Sequence, residues 1–522
     1  MAIPVRHKDM LTAFAADTNN AVWARDLVSL AIHTGGQFTE AEKQQIWEEC
    51  ETGQTVPSQA VPTGVGTAIP KVELLKLKHH QGVNTLAESQ EIPFCNEGIT
   101  MLYGQNRSGK SGYFRILNQL ATGKIPYTIL GDVFKTPSAM SITIEYKLDG
   151  VAQPPFIWDG MSPCPRELRH IRCFDSQYAS HYLEKRDGNT YLFESYNLQI
   201  YRAINETLRF LKEDLHVTVD SVTDTALSNM CSIAYRDMVK QSLINAFKDE
   251  LYKLGMHQLQ VDLEIDDLLA DSSKIAIKLT NNTDVDKVLS EAELKCCALA
   301  LFLAECNLME VQQPIIFDDP VNSLDGSIIQ AFTNRLGELP NEIIIFTHNV
   351  LFMEALTDER KFKVYDDPAI DRTKATTSKR RVLAYDVLTN LEKTGFVLGR
   401  KNKKTLFYLD LANAKLNIRG PITDVKNIVE DLRMAVEWAI DEVIFRGLPT
   451  RRFKGSEPTD WITMEAMASA GVDIVRDLKS NYDQLSGMGV HLGTSSYTAP
   501  PSPATLQAIH DDIERIFRIV YP

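Results

Sequence analysis

Residues 104–111 read Gly104-Gln105-Asn106-Arg107-Ser108-Gly109-Lys110-Ser111, a complete G-x-x-x-x-G-K-S. They lie between an apolar run, Ile99 to Tyr103, and a helix-like stretch that follows Gly112, Tyr113 to Leu120. Strand, glycine-rich turn and helix in that order make a phosphate-binding loop. The glycines let successive backbone N–H groups curl around phosphate oxygens at a helix N-terminus. Lys110 adds a point charge for the β and γ groups, and the Ser111 hydroxyl is a ligand for Mg2+. The expected ligand is a nucleoside triphosphate with its magnesium ion.

A second chemical cluster follows much later. Leu289-Ser290-Glu291-Ala292-Glu293 opens a helix whose apolar residues, Leu294, Cys297, Ala298, Leu301 and Phe302, recur at helical spacing. Pro314 to Pro320 then reads as a buried strand that ends in two carboxylates, Asp318 and Asp319. Asn322-Ser323-Leu324-Asp325 forms a turn, and a further apolar strand, Glu342 to Phe346, runs into Thr347-His348-Asn349. Phosphoryl transfer needs a metal, countercharge and an oriented water, and strand-end carboxylates face the crevice where an α/β sheet binds nucleotides. Two core-adjacent aspartates without such a role would cost on the order of several kcal/mol to desolvate.

Loop, serine-headed helix, acidic strand, Ser-Leu-Asp turn and strand-end histidine follow an order that resembles the ATP-binding-cassette (ABC) ATPases, in the soluble branch of SMC, RecF and OLD-type proteins. The resemblance implies an α/β ABC-ATPase head of the P-loop class. It also implies that Asp318 binds water-bridged Mg2+, that Asp319 serves as or positions the general base, and that His348 senses the γ-phosphate. Gln177, at the end of the strand from His170, is the candidate for the glutamine that couples Mg2+ to a helical lobe. Two departures stand out: Asp319 replaces the usual glutamate, which predicts slow hydrolysis, and Glu291 and Ala292 replace both glycines of the usual Leu-Ser-Gly-Gly. Because each motif occurs once, the resemblance implies a homodimer or higher oligomer, with Ser290 and Glu293 of one copy facing the nucleotide on Lys110 of another.

The phrase Phe317-Asp318-Asp319-Pro320-Val321-Asn322-Ser323-Leu324-Asp325, taken with Leu289-Ser290-Glu291-x-Glu293, is narrower. It is similar to ATPases of bacterial anti-phage systems, namely the anticodon nucleases PrrC and RloC and the PtuA subunit of Septu and some retron systems. That resemblance covers residues 67–360. It implies an infection-sensing ATPase that controls a nuclease, either an HNH-type partner or the chain's own C-terminal domain. The alternatives are a RecF- or SMC-like DNA-repair ATPase without a toxic effector, and a transporter motor, which the missing signature glycines disfavour. The chain has no C-x-x-C, unlike RloC with its zinc hook.

Around these motifs we expect a helical N-terminal segment over 1–66, an ATPase domain over 67–360 with a helical insert at 190–258, and a mainly α C-terminal domain over 361–522. The insert is too short for SMC coiled-coil arms. At 522 residues and 44% hydrophobic the chain can bury more than one core. No apolar stretch is long enough for a signal peptide or a bilayer span, and the eight cysteines form no framework, so a cytoplasmic protein with reduced thiols and no membrane partner is expected.

The net charge of -14 argues against a nucleic-acid coat. Basic residues instead gather in two knots, Ser378-Lys379-Arg380-Arg381 and Arg400-Lys401-Asn402-Lys403-Lys404, which are either solvated loops or a local contact to tRNA or DNA. The helix from Asn427 to Arg446 carries Arg433 and Glu437 four apart on one face, and His491 follows in a glycine-rich turn. Arg-x-x-x-Glu with a downstream histidine resembles the catalytic set of PrrC-like nucleases. By that resemblance His491 moves protons, Glu437 is its partner, and Arg433 stabilises phosphorane charge. The plain alternative is a surface ion pair and a capping histidine.

Overall fold

The computed structural model describes residues 7–54, 69–122, 129–132, 138–175, 183–187, 190–194, 196–214, 219, 221–233, 240–264, 274–279, 285–309, 311–358, 360–365, 379–389, 393–400, 404–417, 425–444, 471–487 and 501–520. They fall into two compact units. The first is Met1–Val364, Pro368–Thr389 and Lys393–Leu398; the second is Tyr365–Asp367, Asn390–Glu392 and Gly399–Pro522.

Unit 1 opens with α1 (His7–Ala16), α2 (Val22–Thr34) and α3 (Glu40–Thr52). Then come β1 (Val72–Gln81), β2 (Gln90–Pro93), β3 (Ile99–Tyr103), α4 (Lys110–Thr122), β4 (Ser141–Leu148), β5 (Val151–Ala152), β6 (Phe156–Trp158) and β7 (Arg172–Asp175). An inserted lobe holds β8 (Leu183–Asp187), β9 (Thr190–Glu194), α5 (Tyr196–Arg209), α6 (Ser221–Ile233), α7 (Lys240–Lys253), β10 (Val261–Glu264) and β11 (Lys274–Leu279). The unit closes with α8 (Glu291–Leu308), β12 (Ile315–Asp318), α9 (Gly326–Glu338), β13 (Ile343–Thr347), α10 (Val350–Leu356), β14 (Lys363–Tyr365), β15 (Arg381–Thr389) and β16 (Thr394–Gly399).

The central sheet runs β14-β15-β3-β13-β12-β7, with β16 paired to β15. The pairs β15–β3, β3–β13, β13–β12 and β12–β7 are all parallel. Parallel strands covered on both faces must be apolar throughout, and Ile343 to Thr347 is buried at every position. A line of phenylalanine rings, Phe174, Phe302, Phe317, Phe332 and Phe352, runs through the core beside β7 and β12 with successive centroids 5.2, 5.7, 5.5 and 5.7 Å apart. Helix α8 is buried continuously from Lys295 to Cys306. It therefore has no solvent face to mark it as amphipathic. Two antiparallel sheets complete the unit, β2-β1-β4-β5 with β6 on β4, and β10-β11-β9-β8 in the inserted lobe.

Three expected boundaries are displaced. Residues 1–66 do not stand apart, because Leu27, Leu30 and Ala31 of α2 belong to the same core as Ile99 and α8. The insert expected to be helical at 190–258 is closed by strands, since β9 pairs with β11 across α5 to α7. The sheet unit expected to end at 360 continues beyond it: β15 lies against the loop strand β3 in register from Val382↔Ile99 to Asp386↔Tyr103. Val382 to Val387 is buried at every position, which is satisfied only inside a covered sheet.

The described residues of unit 2 from Lys404 onward are mostly helical. They form α11 (Lys404–Leu416), α12 (Val425–Ala439) with a π-helical turn at Ile440–Ile444, α13 (Val472–Gly487) and α14 (Pro503–Val520). Ile428, Leu432, Ala435 and Ala439 of α12 meet Leu478, Leu485, Leu506, Ile509 and Ile513 in one core. That core uses the spacing the sequence showed for α12 and α14.

One buried ion pair ties the insert to the sheet unit. Glu250 of α7 is fully buried and receives the Arg335 guanidinium of α9 through Nε at 2.8 and 3.1 Å and through NH2 at 2.8 Å. Asn307 of α8 donates to the same carboxylate at 2.6 Å. Removing the cation strands a buried charge, so Arg335→Ala is expected to lower stability by about 3–5 kcal/mol in equilibrium chemical denaturation, more than either surface pair Arg202–Glu206 or Lys253–Asp249.

Candidate functional site

The chain leaves β3 at Tyr103 and turns through the glycine loop into α4. Arg107 and Gly109 both take left-handed backbone, φ 69° and 100°. At Gly109 any Cβ would stand 2.7 Å from the Gly395 nitrogen, so only glycine fits. The back of the loop is pinned by a turn the sequence had not marked. The Gly395 N–H donates to the Ser108 carbonyl at 2.6 Å, and the Tyr113 hydroxyl donates to the Gly395 carbonyl at 2.6 Å. The Ala87 N–H donates to the Thr394 carbonyl at 2.6 Å, which holds the Leu86 side chain against Gly109 and Gly112. The Gly104 N–H donates to the Thr347 carbonyl at 3.1 Å, joining the loop to the end of β13. Gln105, Asn106 and Arg107 are exposed on the open side, while Ser108 is buried.

The Lys110 ammonium is buried and donates to the Gly104 and Gln105 carbonyls at 2.6 and 3.0 Å. Burial pulls its pKa down, opposed by the charges of Asp319 and Asp318. The Ser111 hydroxyl donates to Asp318 Oδ2 at 3.3 Å. The loop and the acidic strand thus meet, as their order in the chain predicted. Asp319 lies one residue beyond β12 in left-handed backbone, φ 46°, a region uncommon for residues other than glycine though more accessible to aspartate than to most. Its Oδ1 accepts the His348 backbone N–H at 2.8 Å and stands 2.8 Å from the imidazole Nδ1. Asp319 and His348, far apart in sequence, form one pair.

A third carboxylate joins them. Asp175 ends β7 and is the register partner of Asp318, buried beside it. Burial first, then Asp319 and Asp175, push Asp318 up to about 7, against the pull of Lys110 and Ser111. Asp318 Oδ1 is buried with no hydrogen-bond partner among the described residues. Among those residues no set of three or more metal-ligating side chains forms a cage of its own. A hydroxyl, a carboxylate with one oxygen to spare, and phosphate oxygens brought by the nucleotide are a donor set that suits Mg2+, which keeps most of its water.

At the head of α8, Ser290 is the N-cap and closes a capping box. Its hydroxyl accepts the Glu293 N–H at 3.3 Å and donates to Glu293 Oε2 at 2.8 Å, and its own N–H donates to that oxygen at 2.8 Å. Gln177 and His491 lie outside the described residues. In unit 2, Arg433 and Glu437 do share a face, Nε to Oε1 3.6 Å. The same guanidinium donates to the Tyr482 hydroxyl of α13 at 2.9 Å and lies 5.2 Å from that ring's centroid.

In the basic knots Lys379 is exposed, while the three arginines reach protein partners. Arg380 donates to the Asn341 carbonyl, Arg381 donates to the Asn96 carbonyl at 2.7 Å, and Arg400 stacks on Phe407 at 4.7 Å. Burial lowers Arg380 to about 10. These three arginines tie backbone or cover a ring.

Sequence reasoning missed Asp175, Lys295 and the Thr394–Gly395 turn. Asp175 carried the same signal as Asp318, a carboxylate ending an apolar strand, and Lys295 is the lone cation of α8. The partner of the Thr394–Gly395 turn, Ser108, is too distant in sequence to be seen there.

The loop strand β3 and the acidic strand β12 are separated by β13, and β7 flanks β12 on the far side. With the antiparallel sheet and the inserted lobe, this is a mixed α/β architecture with a phosphate-binding loop and an acidic strand end at one edge of a parallel sheet. No protein-family model and no curated protein matches the chain. Among solved structures it is similar to the recombination mediator RecF in a nucleotide complex, titled RecF-ATPrS, at 13% identity over 54% of this chain and 94% of that one, TM-score 0.35. It is also similar to an Smc head domain from Pyrococcus furiosus with the C-terminal domain of ScpA, at 13% identity over 66% and 100%, TM-score 0.41. An SMC head domain from Thermotoga maritima aligns at 15% identity over 63% and 99%, TM-score 0.32. No helix among the described residues is long and apolar enough to cross a membrane.

The raised pKa of Asp318 carries a sign. The folded state favours its neutral form, so the associated stability is full below the ordinary carboxylate range and is lost as pH rises through about 7. Asp318→Asn removes that loss. In thermal and chemical unfolding of the nucleotide-free chain, its advantage over wild type should grow between about pH 4 and pH 7 and level off near 2–4 kcal/mol above that.

Proposed function

We propose that this chain binds ATP with Mg2+ at the glycine loop and hydrolyses it slowly, and that its nucleotide state controls a nuclease in bacterial antiviral defence. The observation that carries the ATPase part is the convergence of Ser111 with Asp318, and of Asp319 with His348, at the mouth of the loop. The defence part is supported by the motif phrases around Ser290 and Asp319.

Bound magnesium would shield the phosphate charge. The rest is done by this chain's side chains. The loop N–H groups and Lys110 bind the phosphates, for which Lys110 exchanges its two carbonyl acceptors. Ser111 and Asp318 would hold the metal. Asp319, fixed by His348, orients the attacking water and accepts its proton, and the His348 imidazole faces the γ-phosphate. Each site is completed by Ser290 from a second copy of the chain, which places ATP between two protomers and makes a homodimer the working unit.

The reading assigns the nuclease to a partner of HNH type. The supporting observation is Arg433, whose guanidinium is already bonded to the Tyr482 hydroxyl and laid over its ring. Arg433 then joins α12 to α13, with Glu437 beside it on α12.

Three assays test the proposal. ATP turnover by the purified chain should depend on Mg2+ and fall by about 10²-fold or more in Asp319→Asn, with ATP affinity kept. Nucleotide-trapped Asp319→Asn should elute as a dimer, and Ser290→Arg should return it to the monomer position. The chain alone should cleave neither total tRNA nor duplex DNA, with ATP or after its withdrawal. RNA cleavage by the chain alone that disappears in His491→Ala would instead place the nuclease in unit 2.

A further inference from the structure

We propose that Lys295 is the positioning residue of the Asp319 carboxylate: it fastens the Asp319–Asp325 turn to α8 and so makes the head of that helix and the hydrolytic carboxylate move together. This rests on the ATPase function proposed above.

Lys295 is the lone cation in α8, and only 8% of it is exposed. An ammonium there carries a desolvation cost that packing cannot return, so it must answer buried charge or a buried dipole. It answers both. Its Nζ donates to the Asn322 carbonyl at 2.7 Å, and the Asn322 N–H in turn donates to the Asp319 carbonyl at 3.3 Å. Burial lowers the amine, and the charges that oppose this are led by Asp319 and include Asp175.

The turn itself needs fastening. Asp319 and Ser323 both hold left-handed backbone, φ 46° and 69°, a conformation that persists in residues other than glycine only when the surroundings enforce it. The end of β13 enforces it on one side through His348 and through the Phe346 carbonyl, which accepts the Asp319 N–H at 2.8 Å. Lys295 enforces it on the other. Asp325, as N-cap of α9, closes the turn by accepting the Ser327 and Ile328 N–H groups at 2.9 and 3.0 Å.

A consequence follows for the dimer. Ser290 lies about one and a half turns from Lys295 on one rigid helix. In the proposed dimer Ser290 meets the nucleotide bound by the second copy, while Asp319 serves the nucleotide bound by its own chain. Lys295 is the hydrogen-bonded and electrostatic link between the two, so occupancy of one site sets the carboxylate of the other.

The test uses the full chain with Lys295→Met, Lys295→Gln and Lys295→Arg. Met keeps the stem and loses the charge and the bond. Gln keeps a donor without charge, and Arg restores both. Equilibrium binding of Mg·ATP should stay within about twofold of wild type in all three. Turnover should fall by on the order of tenfold or more in Met, less in Gln, and return toward wild type in Arg. A Met variant with wild-type turnover overturns the proposal, because a packing role needs only the stem.

A second measurement does not depend on hydrolysis. In thermal unfolding of the nucleotide-free chain, Lys295→Met should lower Tm, and adding Asp319→Asn should give back part of the loss, because the stranded carboxylate is gone. Strictly additive shifts overturn the proposal. A wild-type chain that hydrolyses no ATP would end the ATPase reading, and this unfolding cycle would still decide the role of Lys295.

Discussion

Negative charge crowded at one edge of a buried parallel sheet is the constraint around which the chain is arranged. Asp175 and Asp318 end neighbouring strands in register, and Asp319 follows Asp318 directly. Carboxylates desolvated together repel one another, and the repulsion is visible in the upward shift of Asp318. Two buried ammonium groups offset it, Lys110 from the head of α4 and Lys295 from α8. Neither lysine could be there unless both helices were seated against the same strand ends.

Seating them accounts for much of unit 1. Helix α4 is held through the glycine loop, whose back is strapped by Thr394 and Gly395 and wedged by Leu86. Helix α8 is buried along almost its whole length and is braced from the far side by the Glu250–Arg335–Asn307 knot. The phenylalanine line fills the space between α8 and β12. Four of the left-handed residues, Arg107, Gly109, Asp319 and Ser323, lie where the chain meets this edge.

The two halves of the site were legible to different degrees. The glycine loop declared itself because all its chemistry is local: glycine torsion, a following helix N-terminus, one lysine and one hydroxyl within eight residues. The pairing of Asp318 with Ser111 could be anticipated from motif order. The Asp319–His348 bond and the Asp175 neighbour could not be located, since they depend on which strands are adjacent. β13 is inserted between β3 and β12, and β7 comes to the other side of β12. The arginine partners were hidden for the same reason: the carbonyls of Asn341 and Asn96 that Arg380 and Arg381 reach are distant in sequence. The domain limits moved because β15 and the N-terminal helices complete surfaces that distant segments leave uncovered.

By itself, the sequence determined the local grammar of this protein: a phosphate loop between strand and helix, a serine-capped buried helix, an acidic strand end, and a helical C-terminal region. Those features depend on backbone torsion, capping and hydrophobic period, which act over a few residues. Only the tertiary structure decided which charges would face each other. Lys295 compensates Asp319, Tyr482 engages Arg433, and Gly395 supports the glycine loop because parallel pairing and burial bring together segments that the chain keeps hundreds of residues apart. In a low-dielectric interior the placement of a charge is set by its neighbours in space, and no window of sequence contains them.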